Sequence, residues 1–247
     1  MQVLTKVGLR WEGTEGAHFF DDSGRSVYRN LRPASIRGEV EASLRRLGID
    51  EIDLLQCHWP DPSFPVEQTM EELAALVREG KVRAVGVSNF DVDLLTRSQA
   101  TLGDIPLAST QPRYSLMDRG IEEEILPHCR EARVGVIVYS PIEQGLLTGR
   151  VTMERVFPED DGRYWSPKFA PESRRKVLDA LAQTADIAAT HRATPAQVAI
   201  AWCFHQPGVT AAIVGARTAA QAEENAAAAS IVLSDAECER LAEAFGF

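Results

Sequence analysis

The chain has 247 residues, of which 45% are hydrophobic and 25% charged, so it can bury a sizeable core. Its formal net charge of −10 argues against nucleic acid or an anionic membrane surface as a partner, because the overall field repels polyanions. The sequence has no secretory pattern and no apolar run near the roughly 20 residues that a membrane span needs. Its four cysteines are far apart, which predicts reduced thiols in a cytoplasmic protein, without disulfides or a metal site.

Short runs rich in valine and isoleucine alternate with amphipathic stretches along the chain. Their length, and their lack of polar alternation, are typical of strands buried on both faces of a parallel sheet. The predicted strands are Val3 to Leu9, Ile52 to Cys57, Val82 to Val87, Leu107 to Thr110, Val134 to Tyr139 and Ala211 to Val214. Such strand–helix alternation predicts an α/β fold with right-handed crossovers, in a single domain of residues 1–247.

The stretches between the strands have helical periodicity. Ile36, Val40 and Leu44 share one face of a predicted helix that ends at Gly48. A second predicted helix ends at Gly80. Three later helices are predicted to begin with capping boxes, at Thr194 to Gln197, Thr218 to Gln221 and Ser234 to Glu237.

Two long stretches have no predicted strand or helix of their own. Residues 149–171 form the longer one, and Gly13 to Arg32 follows the first strand. Loops of this length inside a compact domain are usually lids or binding loops. We therefore expect residues 149–171 to lie near the mouth of an active site.

Polar or aromatic residues follow every predicted strand. In a parallel barrel, functional side chains collect at the carboxyl ends of the strands. The residues at these ends are Lys6; His58, Trp59 and Asp61; Ser88 and Asn89; Gln111; Tyr139 and Ser140; and Gly215 to Arg217.

The motifs around these positions resemble the aldo-keto reductase superfamily, in the family's order and over essentially the whole chain. They are Thr5-Lys6-Val7-Gly8, Asp53 to Asp61, Gly86 to Phe90, Thr110-Gln111-Pro112, Tyr139 to Ile142 and Glu224-Asn225. The resemblance implies a parallel (β/α) TIM-type barrel that begins at the third strand. The barrel is expected to be incomplete, with six recognisable strands and the first two missing. The absence of a GxGxxG motif agrees with a family that binds its nucleotide outside a Rossmann domain.

The resemblance implies catalytic roles for Lys6 and His58. Lys6 would lower the pKa of a tyrosine acid, and His58 would orient the substrate carbonyl. Trp59 would form a wall of the substrate pocket. On the residues alone, Lys6 could equally be a lysine extending from a strand end, and His58 and Trp59 could be structural side chains.

The resemblance also implies a nicotinamide site. Ser88, Asn89 and Gln111 would hold the carboxamide, and Tyr139 would stack on the nicotinamide ring. The residues expected around the pyrophosphate are Ser140, Ile142, Gln144, Gly145 and Leu146. Those expected around the adenosine are Gly215, Arg217, Gln221, Glu224 and Asn225.

Arg217 and the helix that follows Thr218 favour NADPH, because both could bind a 2′-phosphate. Many family members have lysine where Gly215 stands and arginine where Gln221 stands. Both departures weaken this preference, and NADH is the alternative cofactor.

The expected activity is NADPH-dependent, reversible reduction of an aldehyde or ketone to an alcohol. The family mechanism also uses an aspartate and a tyrosine, for which this chain has no counterpart, so impaired turnover is expected. Tyr28 is a candidate replacement acid. The alternatives are a non-catalytic NADP(H)-binding regulatory protein, and a barrel lyase that uses Lys6 as a Schiff-base amine. Open apolar sheet edges predict self-association.

Overall fold

The computed structural model describes residues 2–22 and 24–247. Its strands, in chain order, are β1 (Leu4–Val7), β2 (Leu9–Arg10), β3 (Ala17–Asp22), β4 (Arg25–Arg29), β5 (Ile52–Cys57), β6 (Val82–Ser88), β7 (Leu107–Gln111), β8 (Gly135–Tyr139) and β9 (Val209–Ile213). Its helices are α1 (Pro33–Leu47), α2 (Val66–Arg78), α3 (Val92–Leu102), α4 (Ile125–Ala132), α5 (Gly162–Trp165), α6 (Pro171–Gln183), α7 (Ala185–Thr190), α8 (Pro195–His205), α9 (Ala219–Ala227) and α10 (Asp235–Ala244). Among the described residues, no helix is long and apolar enough to cross a membrane.

The chain separates into two compact units. The first contains the residues up to Pro112 together with Pro127–Val136, and the second contains Arg113–Leu126 and Ile137–Phe247. The assignment of all 247 residues to a single domain stays a prediction.

The first unit contains a parallel sheet. β1 pairs with β5, β5 with β6, β6 with β7, and β7 with the first two residues of β8, all in parallel. The side chains of Val7, Ile52, Leu55, Val85 and Val87 are almost completely buried. This burial explains why these strands read as continuous apolar runs.

In the second unit, β9 lies next to β8 and ends the strand order β1-β5-β6-β7-β8-β9. Helix α8 is apolar all round and supplies much of the core there. Its Trp202 is 1% exposed, stacks on Tyr114 at 5.3 Å between ring centroids, and donates through Nε1 to the carbonyl oxygen of Cys238. The six-stranded order agrees with the predicted α/β class.

The predicted strands agree closely with the observed ones, with one break. β5 has the predicted bounds, whereas the run Val3 to Leu9 is divided by Gly8 into β1 and β2. Gly8 has φ of 98°, a conformation that favours glycine, and a Cβ at this position would lie 2.4 Å from Cδ2 of Leu31.

Two of the three predicted capping boxes are confirmed. Thr194 with Gln197, and Ser234 with Glu237, exchange side-chain and backbone hydrogen bonds at the starts of α8 and α10. The third prediction, at Thr218 to Gln221, is wrong for one of its two hydrogen bonds. Thr218 accepts from the backbone N–H of Gln221, but Oε1 of Gln221 accepts from the backbone N–H of Arg217 at 2.8 Å.

The expectation of an irregular loop from Gly13 to Arg32 is wrong, because this stretch contains most of a second sheet. Strands β2, β4 and β3 form a three-stranded antiparallel sheet in that order. Gly16 permits the close approach of two strands, since a Cβ there would lie 2.1 Å from the carbonyl oxygen of Arg29. Residues 149–171 are less regular, with the single turn of α5 and a 3₁₀ turn at Pro167–Phe169.

Candidate active site

Six of the predicted site residues lie in the first unit. One is Trp59, and the other five lie at or within one residue of a strand end: Lys6, His58, Ser88, Asn89 and Gln111. We call these five the strand-end cluster. Lys6 lies on β1 opposite Gln56 of β5, and the backbone N–H of His58 donates to Val7 at 2.9 Å. The parallel register therefore carries these side chains to one edge of the sheet, as the sequence predicts.

Lys6 and His58 are half-buried and electrostatically linked. Burial lowers the pKa of the Lys6 ammonium. Burial also lowers the pKa of His58, and the positive charge of Lys6 lowers it further. The imidazole is therefore neutral at pH 7, and a neutral ring can donate one hydrogen bond to a carbonyl oxygen.

Ser88, Asn89 and Gln111 form one hydrogen-bonded group at the ends of β6 and β7. The Ser88 hydroxyl donates to the carbonyl oxygen of Gln111 at 2.6 Å and accepts from Nδ2 of Asn89 at 3.0 Å. Nδ2 of Asn89 also contacts the carbonyl oxygen of His58 at 3.1 Å. Asn89 has φ of 61°, a conformation that asparagine tolerates better than most residues.

A second layer of polar side chains, which sequence reasoning missed, supports this group. Gln56 is 1% exposed; its Oε1 accepts from Nε2 of Gln111 at 2.7 Å, and its Nε2 donates to the Ser109 hydroxyl at 3.1 Å. Gln56 reaches Ser109 across β6 because residue 86 is glycine: a Cβ on Gly86 would lie 2.5 Å from Oγ of Ser109. A glycine inside an otherwise apolar strand was the available signal.

Trp59 and Asp61 follow His58 and have different surroundings. The Trp59 ring packs on Phe19 of β3, with 5.1 Å between ring centroids. Asp61 is 6% exposed and accepts from the backbone N–H groups of Leu31 and Ser63, with Arg32 at 3.5 Å. Asp61 therefore anchors the segment before α1. Tyr28, on β4, packs edge-on against His18 at 5.5 Å.

The remaining predicted site residues lie in the second unit, where a cavity of about 900 Å³ collects nearly all of them. We call it the arginine-lined cavity. The predicted residues that line it are Tyr139, Ser140, Ile142, Gln144, Gly145, Gly215, Arg217, Gln221, Glu224 and Asn225. Leu146 does not line it and is 1% exposed in the interior. The volume of the arginine-lined cavity is within the usual range of small-molecule and cofactor sites, about 300–1,000 Å³.

The polypeptide after β8 has an unusual backbone where it forms one wall of this cavity. Ser140 and Gln144 have φ of 62° and 53°, and Gly145 has φ of 96°. Non-glycine residues in this region are strained and concentrate at ligand-binding sites. Burial raises the pKa of Tyr139, so its hydroxyl is neutral at pH 7 and its ring remains an uncharged flat surface.

Four arginines line the cavity, although the chain as a whole is acidic. They are Arg150, Arg155, Arg163 and Arg217, against the carboxylates Asp161 and Glu224. Arg163 pairs with Asp161 and Arg150 with Glu224. Arg217 also interacts electrostatically with Asp161, since its charge helps to lower the pKa of that carboxyl. Four arginines against two carboxylates still leave the cavity with an excess of positive charge. Such a surface fits phosphate groups.

Residues 149–171 supply three of these arginines and are held by two ion pairs. Lys168 lies 3.1 Å from Glu143 and 3.5 Å from Asp118. Phe157 lies beneath the guanidinium of Arg163 at 4.5 Å and packs against Phe169 at 5.3 Å. The expected functional loop therefore borders the arginine-lined cavity.

Comparison with known proteins identifies the family of the chain. The Aldo/keto reductase family model matches residues 1–245. The chain is 41% identical over 238 residues to the NADH-specific methylglyoxal reductase of Escherichia coli, covering 95% of this chain and 71% of that protein. It is 37% identical to the aldo-keto reductase YhdN of Bacillus subtilis, covering 90% of this chain and 63% of that protein.

Among solved structures, the glycerol dehydrogenase AKR11B4 of Gluconobacter oxydans superimposes with a TM-score of 0.89 at 36% identity, covering 99% of this chain and 72% of that chain. The family match and these relatives support an oxidoreductase with an α/β fold. The chain belongs to the aldo/keto reductase family, and it spans roughly two thirds of the length of the curated relatives that it matches.

Proposed function

We propose that this chain carries out the reversible, NADPH-dependent reduction of an aldehyde or ketone to an alcohol. The observation that supports the proposal is the excess of positive charge in the arginine-lined cavity, four arginines against two carboxylates, in a chain of net charge −10. A nonspecific polyanion would be repelled by the rest of the surface, whereas a small dinucleotide needs only the local charge.

When bound, the nicotinamide cofactor supplies the hydride that reaches the carbonyl carbon. The chain's own residues bind the cofactor and orient its nicotinamide ring. Ser88, Asn89 and Gln111 offer amide and hydroxyl groups to a carboxamide, and Gln56 and Ser109 fix the direction of the Gln111 amide. In this proposal Tyr139 presents its ring to the nicotinamide, and fixed orientation is what raises the rate.

His58 and Lys6 act on the substrate side. The neutral imidazole of His58 donates a hydrogen bond to the carbonyl oxygen as negative charge develops there. Lys6 adds positive charge nearby.

The choice between NADPH and NADH depends on Arg155 and Arg217. Within the described part of the chain neither forms an ion pair within 4 Å, although the charge of Arg217 is felt by Asp161, and this favours an extra phosphate on the ribose. The relative named NADH-specific makes NADH the alternative. Arg217→Ala should weaken the binding of NADPH by about 10-fold or more and leave NADH nearly unchanged, if one charge-assisted contact of about 1.5–3 kcal/mol is lost. Equal loss for both cofactors would contradict the NADPH preference.

Nucleotide fluorescence during titration with the protein tests the whole proposal. Binding with turnover of an added aldehyde supports the reductase. Binding without any turnover supports the alternative of a regulatory NADP(H)-binding protein.

A second candidate, a lyase, is favoured by the lowered pKa of Lys6, because an uncharged amine is the form that attacks a carbonyl. Borohydride trapping of a carbonyl substrate on Lys6 would support it, and absence of cofactor binding would be required.

We also propose a cytoplasmic location and self-association. The four cysteines are unpaired, three of them buried, as suits a reducing compartment. Leu4 on β1 and Ile213 on β9, the first and last strands of the order, are 46% and 42% exposed. Apolar edge strands pair readily with other chains. A dilution-stable monomer in light scattering would contradict self-association.

A further inference from the structure

The antiparallel sheet of β2, β4 and β3 begins immediately after β1, the strand that carries Lys6. The whole sheet belongs to the first unit, as does the strand-end cluster. A compact sheet at this point is more rigid than a loop, so it holds its side chains in defined positions.

Phe19 lies at an irregularity in this sheet. His18 pairs with Tyr28 and Phe20 pairs with Val27, so two steps along β3 correspond to one step along β4. Phe19 is therefore the extra residue of a β-bulge. Bulges disrupt the regular alternation of faces and re-aim a side chain, and they are frequent beside active sites.

The re-aimed ring of Phe19 is the centre of an aromatic cluster. It lies 5.1 Å from Trp59, which directly follows His58, and 5.1 Å from Phe20. The guanidinium of Arg29 covers the Phe19 ring at 5.0 Å. Arg29 has a buried Nε without a hydrogen-bond partner, and within residues 2–22 and 24–247 no carboxylate lies within 4 Å of it. The Arg29 guanidinium therefore packs on the Phe19 ring as a cation–π contact.

We propose that Phe19 is a specificity-determining residue, which packs against Trp59 and with it forms an apolar aromatic wall for the substrate beside His58. The inference rests on the proposed function and extends it to a substrate class: aldehydes and ketones with an aromatic group next to the carbonyl. Two half-buried rings offer such a group offset or edge-on packing, and a small aliphatic carbonyl compound gains little from them.

The test compares Phe19→Ala with Phe20→Ala. Phe20 is the matched control, because it is the next residue, is aromatic, keeps regular pairing with Val27 and is 45% exposed. We expect Phe19→Ala to raise the KM for benzaldehyde by about 3- to 10-fold, with a smaller change for propanal and an unchanged Kd for NADPH. Phe20→Ala should stay within about twofold of the unmodified chain. Phe19→Tyr keeps the ring and should restore the benzaldehyde KM.

The outcomes separate this inference from the proposed function. If the unmodified chain reduces benzaldehyde but Phe19→Ala and Phe20→Ala behave alike, the role of Phe19 is overturned and the reductase stands. If the unmodified chain reduces neither aldehyde, the reductase fails. The Kd of benzyl alcohol, measured by ligand-observed NMR without turnover, then decides the inference: weaker binding by Phe19→Ala than by Phe20→Ala supports it, and equal binding refutes it. Circular dichroism confirms that each variant is folded.

Discussion

Lys168 donates a hydrogen bond to the buried carboxylate of Glu143 at 3.1 Å, and this contact joins residues 149–171 to the polypeptide after β8. Glu143 is 1% exposed and also accepts from Arg113 and from the Ser115 hydroxyl. Burial opposes its ionisation, but these hydrogen bonds and the charges of Arg113 and Lys168 outweigh burial and hold the pKa of Glu143 below its usual range. Both walls of the arginine-lined cavity therefore depend on one ionised carboxylate.

Lys168→Met should loosen residues 149–171 without removing Glu143's other partners. We expect faster release of bound NADPH and a Kd weakened by about 3- to 10-fold, because a partly buried ion pair typically contributes about 1 kcal/mol. Stopped-flow displacement of NADPH measures the release rate. Lys176→Met is the control, since Lys176 pairs with the exposed Glu172 on α6. Identical release from both variants would show that the Lys168 contact does not hold the cavity wall.

The stability that ionised Glu143 contributes should depend on pH in a direction that its lowered pKa determines. Because the folded-state pKa of Glu143 is lowered, its contribution to stability is present above the unfolded-state pKa and is lost as pH falls through the folded-state value. Glu143→Gln should therefore be less stable than the unmodified chain at pH 7, with the difference shrinking below about pH 4. Urea unfolding at several pH values measures this. A difference that stays constant down to acid pH would contradict the proposed ionisation.

The half-buried charge of Lys6 should lower the free energy of unfolding of the chain, although the proposed reaction uses that charge. Burial lowers its pKa, so between that value and its ordinary pKa the unfolded state binds more protons and stability rises with pH. We expect Lys6→Met to melt higher at pH 7 while losing carbonyl reduction, and the gain to shrink toward pH 10. Lys81→Met should melt lower, since the pKa of Lys81 is raised by Glu79 and Glu41. Calorimetry of both variants provides the measurement. A lower melting temperature for Lys6→Met would mean that Lys6 is structurally stabilising.

Gly86→Ala should disturb the polar layer beneath the strand-end cluster. The added methyl would meet the Ser109 hydroxyl at 2.5 Å and the Ser109 carbonyl oxygen at 2.8 Å, and overpacking of this kind costs about 1–3 kcal/mol. Cofactor affinity should fall with stability, because Gln56 and Ser109 orient Gln111. Gly38→Ala, in open space on α1, should instead gain about 0.5–1 kcal/mol. Urea titrations measure the free energy of unfolding of both variants. A change of the same sign in Gly86→Ala and Gly38→Ala would contradict this account.

An apolar cavity of about 310 Å³ in the second unit offers a stability test independent of the active site. It is lined largely by alanines and leucines, among them Leu181 of α6, Ala188 of α7 and Ala199 of α8. Ala188→Met should raise the free energy of unfolding by about 0.5–2 kcal/mol, because methionine fills irregular gaps at little strain. Ala182→Met, on the exposed side of α6, should change it little. Destabilisation by Ala188→Met alone would mean that the cavity cannot admit the longer side chain.

The sequence predicted the parallel sheet well, because strands buried on both faces produce uninterrupted apolar runs such as Ile52–Cys57. It predicted the strand-end cluster because the register of parallel strands brings their carboxyl ends to one edge. Gln56 was missed since a single glutamine in an apolar strand does not reveal that its partners, Ser109 and Gln111, come from another strand.

The antiparallel sheet escaped prediction for a different reason. β3 is short and mostly exposed, β4 has a single buried apolar residue, Val27, and Asp21, Asp22 and Arg25 are charged, so no apolar period marks either strand. The bulge at Phe19 further removes the alternation on which strand prediction depends. Contacts such as that between Phe19 and Trp59 depend on tertiary packing, which residue spacing cannot supply.

The most direct test of the central claim is transfer of a label from cofactor to substrate. The chain is incubated with NADPH carrying deuterium at C4 and with benzaldehyde, and the benzyl alcohol is analysed by mass spectrometry, which detects even slow turnover. We predict deuterium on the carbinol carbon, transferred from one face of the nicotinamide only, and none with His58→Ala at equal protein concentration. Benzyl alcohol without deuterium, or no product despite saturating NADPH binding, would contradict the account of this chain as a reductase.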